Sequence, residues 1–129
     1  MKKEFIVTKE FLDNNPNTIF IFGDNTQHVG NGGAAKLRNH PQSYGFITKI
    51  KPDNKDTSFY KPADYIPVFM QELVKLKHHI ALNDHQIFLL SQLGAGYANK
   101  FNIYEEIIHD QLLLLIHQHS NIIPLWRNR

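Results

Sequence analysis

"IFIFGDNTQHVGNGGAAKLRNHP", Ile19 to Pro41, decides how the chain folds. With Thr18 before it, the opening apolar run predicts a strand, Thr18 to Phe22, buried on both faces. The run stops at Gly23-Asp24-Asn25, and three glycines follow at Gly30, Gly32 and Gly33. Gly33 to Asn39 then reads as a short helix halted ahead of Pro41. Strand, glycine-rich turn and helix in this order put a backbone with few side chains at a strand's carboxyl end. In α/β sheets that is where ligands sit.

The same order recurs downstream. "QIFLLS", Gln86 to Ser91, is a second continuous apolar strand, and it leads into "QLGAGYANK" with Gly94-Ala95-Gly96-Tyr97-Ala98. Glycine lets a backbone approach a ligand closely and adopt positive φ. Successive free amides and a helix N-terminus favour an anion. One such loop is equally well a tight turn; two, each after an apolar strand, point to a diphosphate gripped between them. Neither loop is a P-loop, since no Gly-Lys-Ser/Thr follows, and neither is a good dinucleotide fingerprint.

The remaining segments fill in an α/β pattern. "EFIVT", Glu4 to Thr8, predicts a short strand, "KEFLDNN" a helical turn, and Ser43 to Ile50 a strand of moderate alternation. Lys51 to Pro62 is polar and predicts a loop. Ile66, Phe69, Met70, Leu73, Lys77 and Ile80 have helical spacing, with Asp64 as N-cap and Pro67 in the first turn. Asn102 with Glu105 resembles a capping box for a helix presenting Ile108, Leu112, Leu115 and Ile116. Asn121 to Trp126 predicts a last strand, at an edge because of Pro124. Alternating strands and helices predict a single α/β domain, residues 1–129, with a mixed, mostly parallel central sheet.

The 129 residues suit one domain. With 42% hydrophobic and 20% charged residues the chain has a globular composition. A net charge of +2 with no block of like charges argues against nucleic-acid binding. The absence of cysteine excludes disulfides, thiolate metal sites and a Cys nucleophile. The eight histidines are scattered, His78-His79 and the pair His117 and His119 would diverge on a helix, and no His-Glu-x-x-His occurs, so no metal or cofactor is expected. No apolar run approaches a membrane span and the start is a poor signal peptide, so a cytoplasmic protein is expected.

Asn25 with "VGNGGAAKLRNHP", Val29 to Pro41, resembles the first ligand loop of macrodomains, in which an Asn precedes a Gly-rich turn and a small-residue helix. The likeness is nearest to the branch that removes ADP-ribose from nucleic acid. "LSQLGAGYANKFNIYEEIIHDQL", Leu90 to Leu112, resembles the macrodomain phosphate loop and its helix. "FGDN", "GGAAKLR" and "YGF" also look like a small macro-like family of bacteria and phages. The two stretches span roughly a third of the chain. The resemblance implies a three-layer macro-like sandwich with a cleft for ADP-ribose or a related small or cyclic nucleotide. The catalytic branch has a Lys in its Gly-rich loop, where this chain has Asn31-Gly32-Gly33. That departure favours binding, or sequestration as a phage sponge, over hydrolysis of an ADP-ribosyl or ADP-ribose-phosphate bond. A small interaction protein with an empty cleft is the third reading.

The expected ligand-binding residues are Gly23, Asp24, Asn25, Val29, Gly30, Asn31, Gly32, Gly33, Ala34, Lys49, Phe59, Leu93, Gly94, Ala95, Gly96, Tyr97 and Ala98. Asn25 offers donor and acceptor to a ribose diol, or closes the strand as an Asx turn. Asp24 caps, accepts from the ligand, or serves as a general base; with Asn25 it is the catalytic candidate. Lys36 and Arg38 read as solvated helix surface, and Lys49 as a possible phosphate ligand. Phe59 and Tyr60 either stack on a base as a lid or pack on the core. Tyr97 flanks a ribose or covers the sheet edge.

Overall fold

The computed structural model describes residues 5–126. Thr18–Asn25 forms β1, three residues longer than the apolar run that announces it. Its alternation sends Ile19 and Ile21 into one core cluster and Phe20 and Phe22 into another, so the strand is buried on both faces. Ser43–Lys49 is β2, Ile87–Leu90 is β3 and Ile122–Pro124 is β4. All three pairings are parallel, in the order β2-β1-β3-β4. The sheet expected to be mixed and mostly parallel is wholly parallel among the described residues. β4 with Pro124 lies at an edge, as its proline requires.

Three layers result. Lys9–Asn14 (α1) is capped by Thr8, whose Oγ1 accepts from Phe11 N–H at 3.0 Å. Leu12 of α1 and Leu37 of a 3-10 segment, Gly33–Leu37, pack with Phe20 and Phe22 on one face. On the other, Pro62–Leu82 (α2) and His109–Gln118 (α3) cover Ile19, Ile21, Phe46, Phe88 and Leu90. α3 continues a π-helical turn at Tyr104–Ile108. The link from β1 to β2 therefore runs on one face, while those leaving β2 and β3 run on the other. Beside the carboxyl ends of β1 and β3 this makes a topological switch point, the usual place for a ligand crevice.

Several local expectations are corrected. Glu4 lies outside the described residues, and Phe5–Thr8 carries no strand, though Phe5 N–H donates to the Leu125 carbonyl at 3.1 Å. Gly33–Leu37 is the tighter 3-10 form and ends before Asn39. The α2 N-cap position is Lys61 with Pro62 behind it, and Asp64 sits in the first turn without capping. Pro67 lies inside the helix. The buried face of α2 is Tyr65, Phe69, Glu72, Leu73, Leu76 and Ile80, whereas Ile66 and Met70 are exposed. Two buried members of that face are polar, which displaced the apparent stripe. They serve the β2 edge: Glu72 Oε1 accepts the Ile47 N–H at 2.8 Å, and Tyr65 donates its hydroxyl to the Ile47 carbonyl at 2.6 Å. Asn102 adopts φ +63° and does not cap through its side chain; Asn99 Oδ1 accepts the Tyr104 N–H at 3.0 Å, and Glu105 accepts from Asn99 Nδ2. Among the described residues, no helix is long and apolar enough to cross a membrane.

Candidate functional site

β3 pairs with only Thr18–Ile21, the first half of β1. Past Leu90 the chain is tied once more to Ile21, whose carbonyl accepts from Ser91 N–H at 3.1 Å and from Ser91 Oγ at 2.8 Å. It then peels away, leaving Phe22 to Asn25 beyond the end of β3. Into this gap opens a cleft of about 560 Å³. One wall is Val29–Ala35, another Ser91–Gly94 with Gly96–Ala98, and a third is Thr48, Lys49, Pro52 and Asn54. Gly23, Asp24 and Asn25 lie between the walls, and Arg38 joins them. A register shift between Asp24 and Asn25 sets Lys49 opposite Asn25.

Both glycine loops therefore border one cleft. No backbone hydrogen bond to the described residues is made by the amides of Gly30, Asn31, Gly32, Gly33 or Ala34. The same is true of Gly94, Gly96, Tyr97 and Ala98. Two runs of unpartnered donors lining one concavity are what an anion needs. The glycines are not equivalent. Gly30 and Gly33 have φ +102° and +56°, where a side chain is disfavoured. Gly94 has φ +78° and sits against the tip of Ile108, so it serves packing. At Gly33 and Gly96 a Cβ would meet no protein atom within 4 Å beyond its chain neighbours.

Asp24 continues the alternation of Phe20 and Phe22 and so faces the 3-10 segment. Its side chain is 3% exposed. Oδ1 accepts the Asn25 N–H at 2.8 Å, Arg38 Nε at 3.1 Å and Arg38 Nη2 at 2.5 Å, and Oδ2 lies 2.8 Å from His28 Nδ1. Burial pushes the carboxyl up. The hydrogen bonds from Arg38, His28 and the Asn25 N–H, with the Arg38 charge, outweigh that and hold it below its ordinary value. A carboxylate with low basicity and both oxygens engaged is poorly suited to take a proton from water. Asn25 closes its own loop: Nδ2 donates to the Val29 carbonyl at 2.8 Å, and Oδ1 accepts from Gln27 N–H at 3.0 Å. The Asx-turn alternative is the one observed.

Arg38 is not solvated surface; its side chain is 15% exposed. Besides Asp24 it reaches the Gly30 carbonyl, donating from Nη1 at 2.7 Å, and its guanidinium lies 5.8 Å from the Phe22 ring centroid. Lys36 does not line the cleft, while Lys49 does. Lys49 Nζ donates to the Asp53 carbonyl at 2.9 Å and stands 4.3 Å from the Phe59 ring centroid. Burial pushes its ammonium down, partly offset by Asp53.

Of the expected binding residues, Phe59 and Ala95 fall outside the lining. Phe59 and Tyr60 are buried, Phe59 beneath Lys49 and Lys100 and Tyr60 5.1 Å from the Tyr65 ring, so neither forms a lid. The exposed aromatic is Tyr97, at 86% on the cleft rim. Ala95 packs against the core. Sequence reasoning missed Ala35, Arg38, Thr48, Pro52, Asn54, Ser91 and Gln92, which line the cleft, and His28, which braces Asp24. Arg38 and His28 owe their places to Asp24, and Ser91 to the Ile21 carbonyl, contacts that no short motif encodes. No group of three or more His, Cys, Asp or Glu suited to a metal occurs among the described residues.

Comparison with known proteins finds that residues 2–99 match a family of unknown function, DUF7831. That stretch runs through both glycine loops. No curated protein and no solved structure matches the chain.

Proposed function

The chain belongs to the DUF7831 family, and from its cleft we propose that it binds a small nucleotide, ADP-ribose or a related linear or cyclic one, and holds it without turnover. The observation that carries this reading is that the unpartnered amides of Gly30–Ala34 and of Gly94, Gly96, Tyr97 and Ala98 border one concavity. Its volume of about 560 Å³ suits a small-molecule site. Lys49 adds a positive charge to the lining, and exposed Tyr97 offers an aromatic face on the rim. The macrodomain-like residues of both loops favour an ADP-ribose-type guest. Binding is preferred to hydrolysis because Asp24 is fully engaged and Asn25 is committed to its own loop.

Calorimetry against ADP-ribose, cyclic ADP-ribose, cyclic dinucleotides and NAD tests the proposal. We expect one member to bind and to be recovered intact. No heat from any of them would leave the cleft without this role. Release of ADP-ribose from modified DNA or protein, abolished by Asn25→Ala, would replace the binder with a hydrolase.

A further inference from the structure

A buried carboxylate at the floor of a cleft meant for an anion needs an explanation. Asp24 lies between the two walls and carries a full negative charge, which would repel a phosphate. Among the lining residues the only cations are Arg38 and Lys49, and Lys49 makes its hydrogen bond elsewhere, to the Asp53 carbonyl. Arg38 places two guanidinium nitrogens on one Asp24 oxygen and a third on the Gly30 carbonyl. The guanidinium thus both cancels the acid and draws one carbonyl of the loop toward itself. Gly30 is a suitable point to hold: its φ of +102° is open to glycine, and its carbonyl precedes the unpartnered amides of residues 31–34.

We propose that Arg38 is a positioning residue for anion binding: through Asp24 and the Gly30 carbonyl it fixes the Gly30–Ala34 loop with its amides free, and it masks the Asp24 charge from the guest. This rests on the nucleotide-binding reading above. The planar fork is essential, because a single ammonium cannot span Asp24 and Gly30 with the same geometry. Asp24 is the anchor of the device and not a ligand. His28, on the other carboxylate oxygen, braces it from the solvent side, with its own side chain 61% exposed.

The test compares wild type, Arg38→Lys, Arg38→Met and the double variant Asp24→Asn/Arg38→Met. Calorimetry with ADP-ribose, cyclic ADP-ribose, cyclic dinucleotides and NAD reads binding, and backbone NMR order parameters of residues 29–35 without ligand read the rigidity of the loop. We expect Arg38→Lys to keep a melting temperature near wild type, to bind at least tenfold more weakly and to show lowered order parameters across the loop. Arg38→Met leaves Asp24 unmasked, so its residual affinity should rise as pH is lowered toward the protonation of Asp24. A purely structural role would produce no such pH dependence. The double variant, relieved of the buried charge, should remain folded yet keep the loosened loop. Wild-type affinity and wild-type loop order parameters in both Arg38→Lys and the double variant would overturn the inference. If wild-type protein gives no heat with any of these nucleotides, the nucleotide reading fails on its own, and the order-parameter comparison still decides whether Arg38 sets the loop.

Discussion

Gly45 stands where any side chain would strike Asp24: a Cβ built there lies 2.8 Å from Asp24 Oδ2 and 3.2 Å from its Cβ. The glycine on β2 is therefore the space that admits the carboxylate on β1. Asp24 cannot swing aside without giving up Arg38 and the Asn25 N–H. Gly45→Ala should destabilise the fold by about 1–3 kcal/mol, as overpacking does. A lowered urea midpoint with unchanged m-value checks it. A midpoint equal to wild type would mean that Asp24 has freedom the contacts do not suggest.

Gly33→Val and Gly96→Val should each weaken nucleotide binding at least tenfold, about 1.4 kcal/mol. The added Cβ enters open space, where the phosphates would lie. Gly96 is the cleaner probe, because Gly33 has positive φ and valine there also strains the backbone. Calorimetry on variants with native circular dichroism reads the effect. Undiminished affinity in both would put the guest elsewhere.

Asp24 should shape the acid limb of the stability curve. Its folded pKa is depressed below the ordinary 3.8, so the unfolded chain binds the proton more readily. The stabilisation is then fully present above the unfolded value and is lost as pH falls through the lower folded value. Unfolding titrations from neutrality to about pH 2 should show this loss in wild type and a shallower decline in Asp24→Asn. Parallel acid limbs for the two proteins would show that Asp24 contributes no such linkage.

Removing the edge contacts of β2 should also cost stability. Tyr65→Phe deletes the hydroxyl that serves the Ile47 carbonyl and should cost about 1 kcal/mol. Glu72→Ala leaves the Ile47 N–H without its acceptor and should cost about 1–3 kcal/mol. Denaturant melts measure both. Glu72→Ala should also associate more readily on sedimentation, since a strand edge with unpaired groups is a template for pairing.

The buried strands were legible because burial on both faces demands continuous apolar runs, and Ile19–Phe22 and Phe88–Leu90 are such runs. The glycine loops were legible because positive φ and close approach select glycine locally, as at Gly30 and Gly33. The continuation of β1 through Asp24 was not, because a polar residue is affordable in a buried strand only when a partner satisfies it, and Arg38 lies fourteen positions on. Arg38 itself sits in a helical, charged context that fits solvent as well as burial. Phe59 and Tyr60 follow a polar stretch that suggested exposure, yet tertiary packing draws both inward. The α2 face was misjudged by one position because Glu72, a charged residue, occupies a buried site for the sake of the Ile47 amide.

Since all four strands run the same way, the molecule has two unlike poles. One gathers every strand's last residue and with them the cleft. The other holds the chain reversals that enter the strands, such as Asn83–Gln86 before β3 and His119–Asn121 before β4. A fluorophore, a resin linkage or a fusion partner joined at Asp84 or Ser120 leaves the cleft open, which makes that pole the practical handle of the protein.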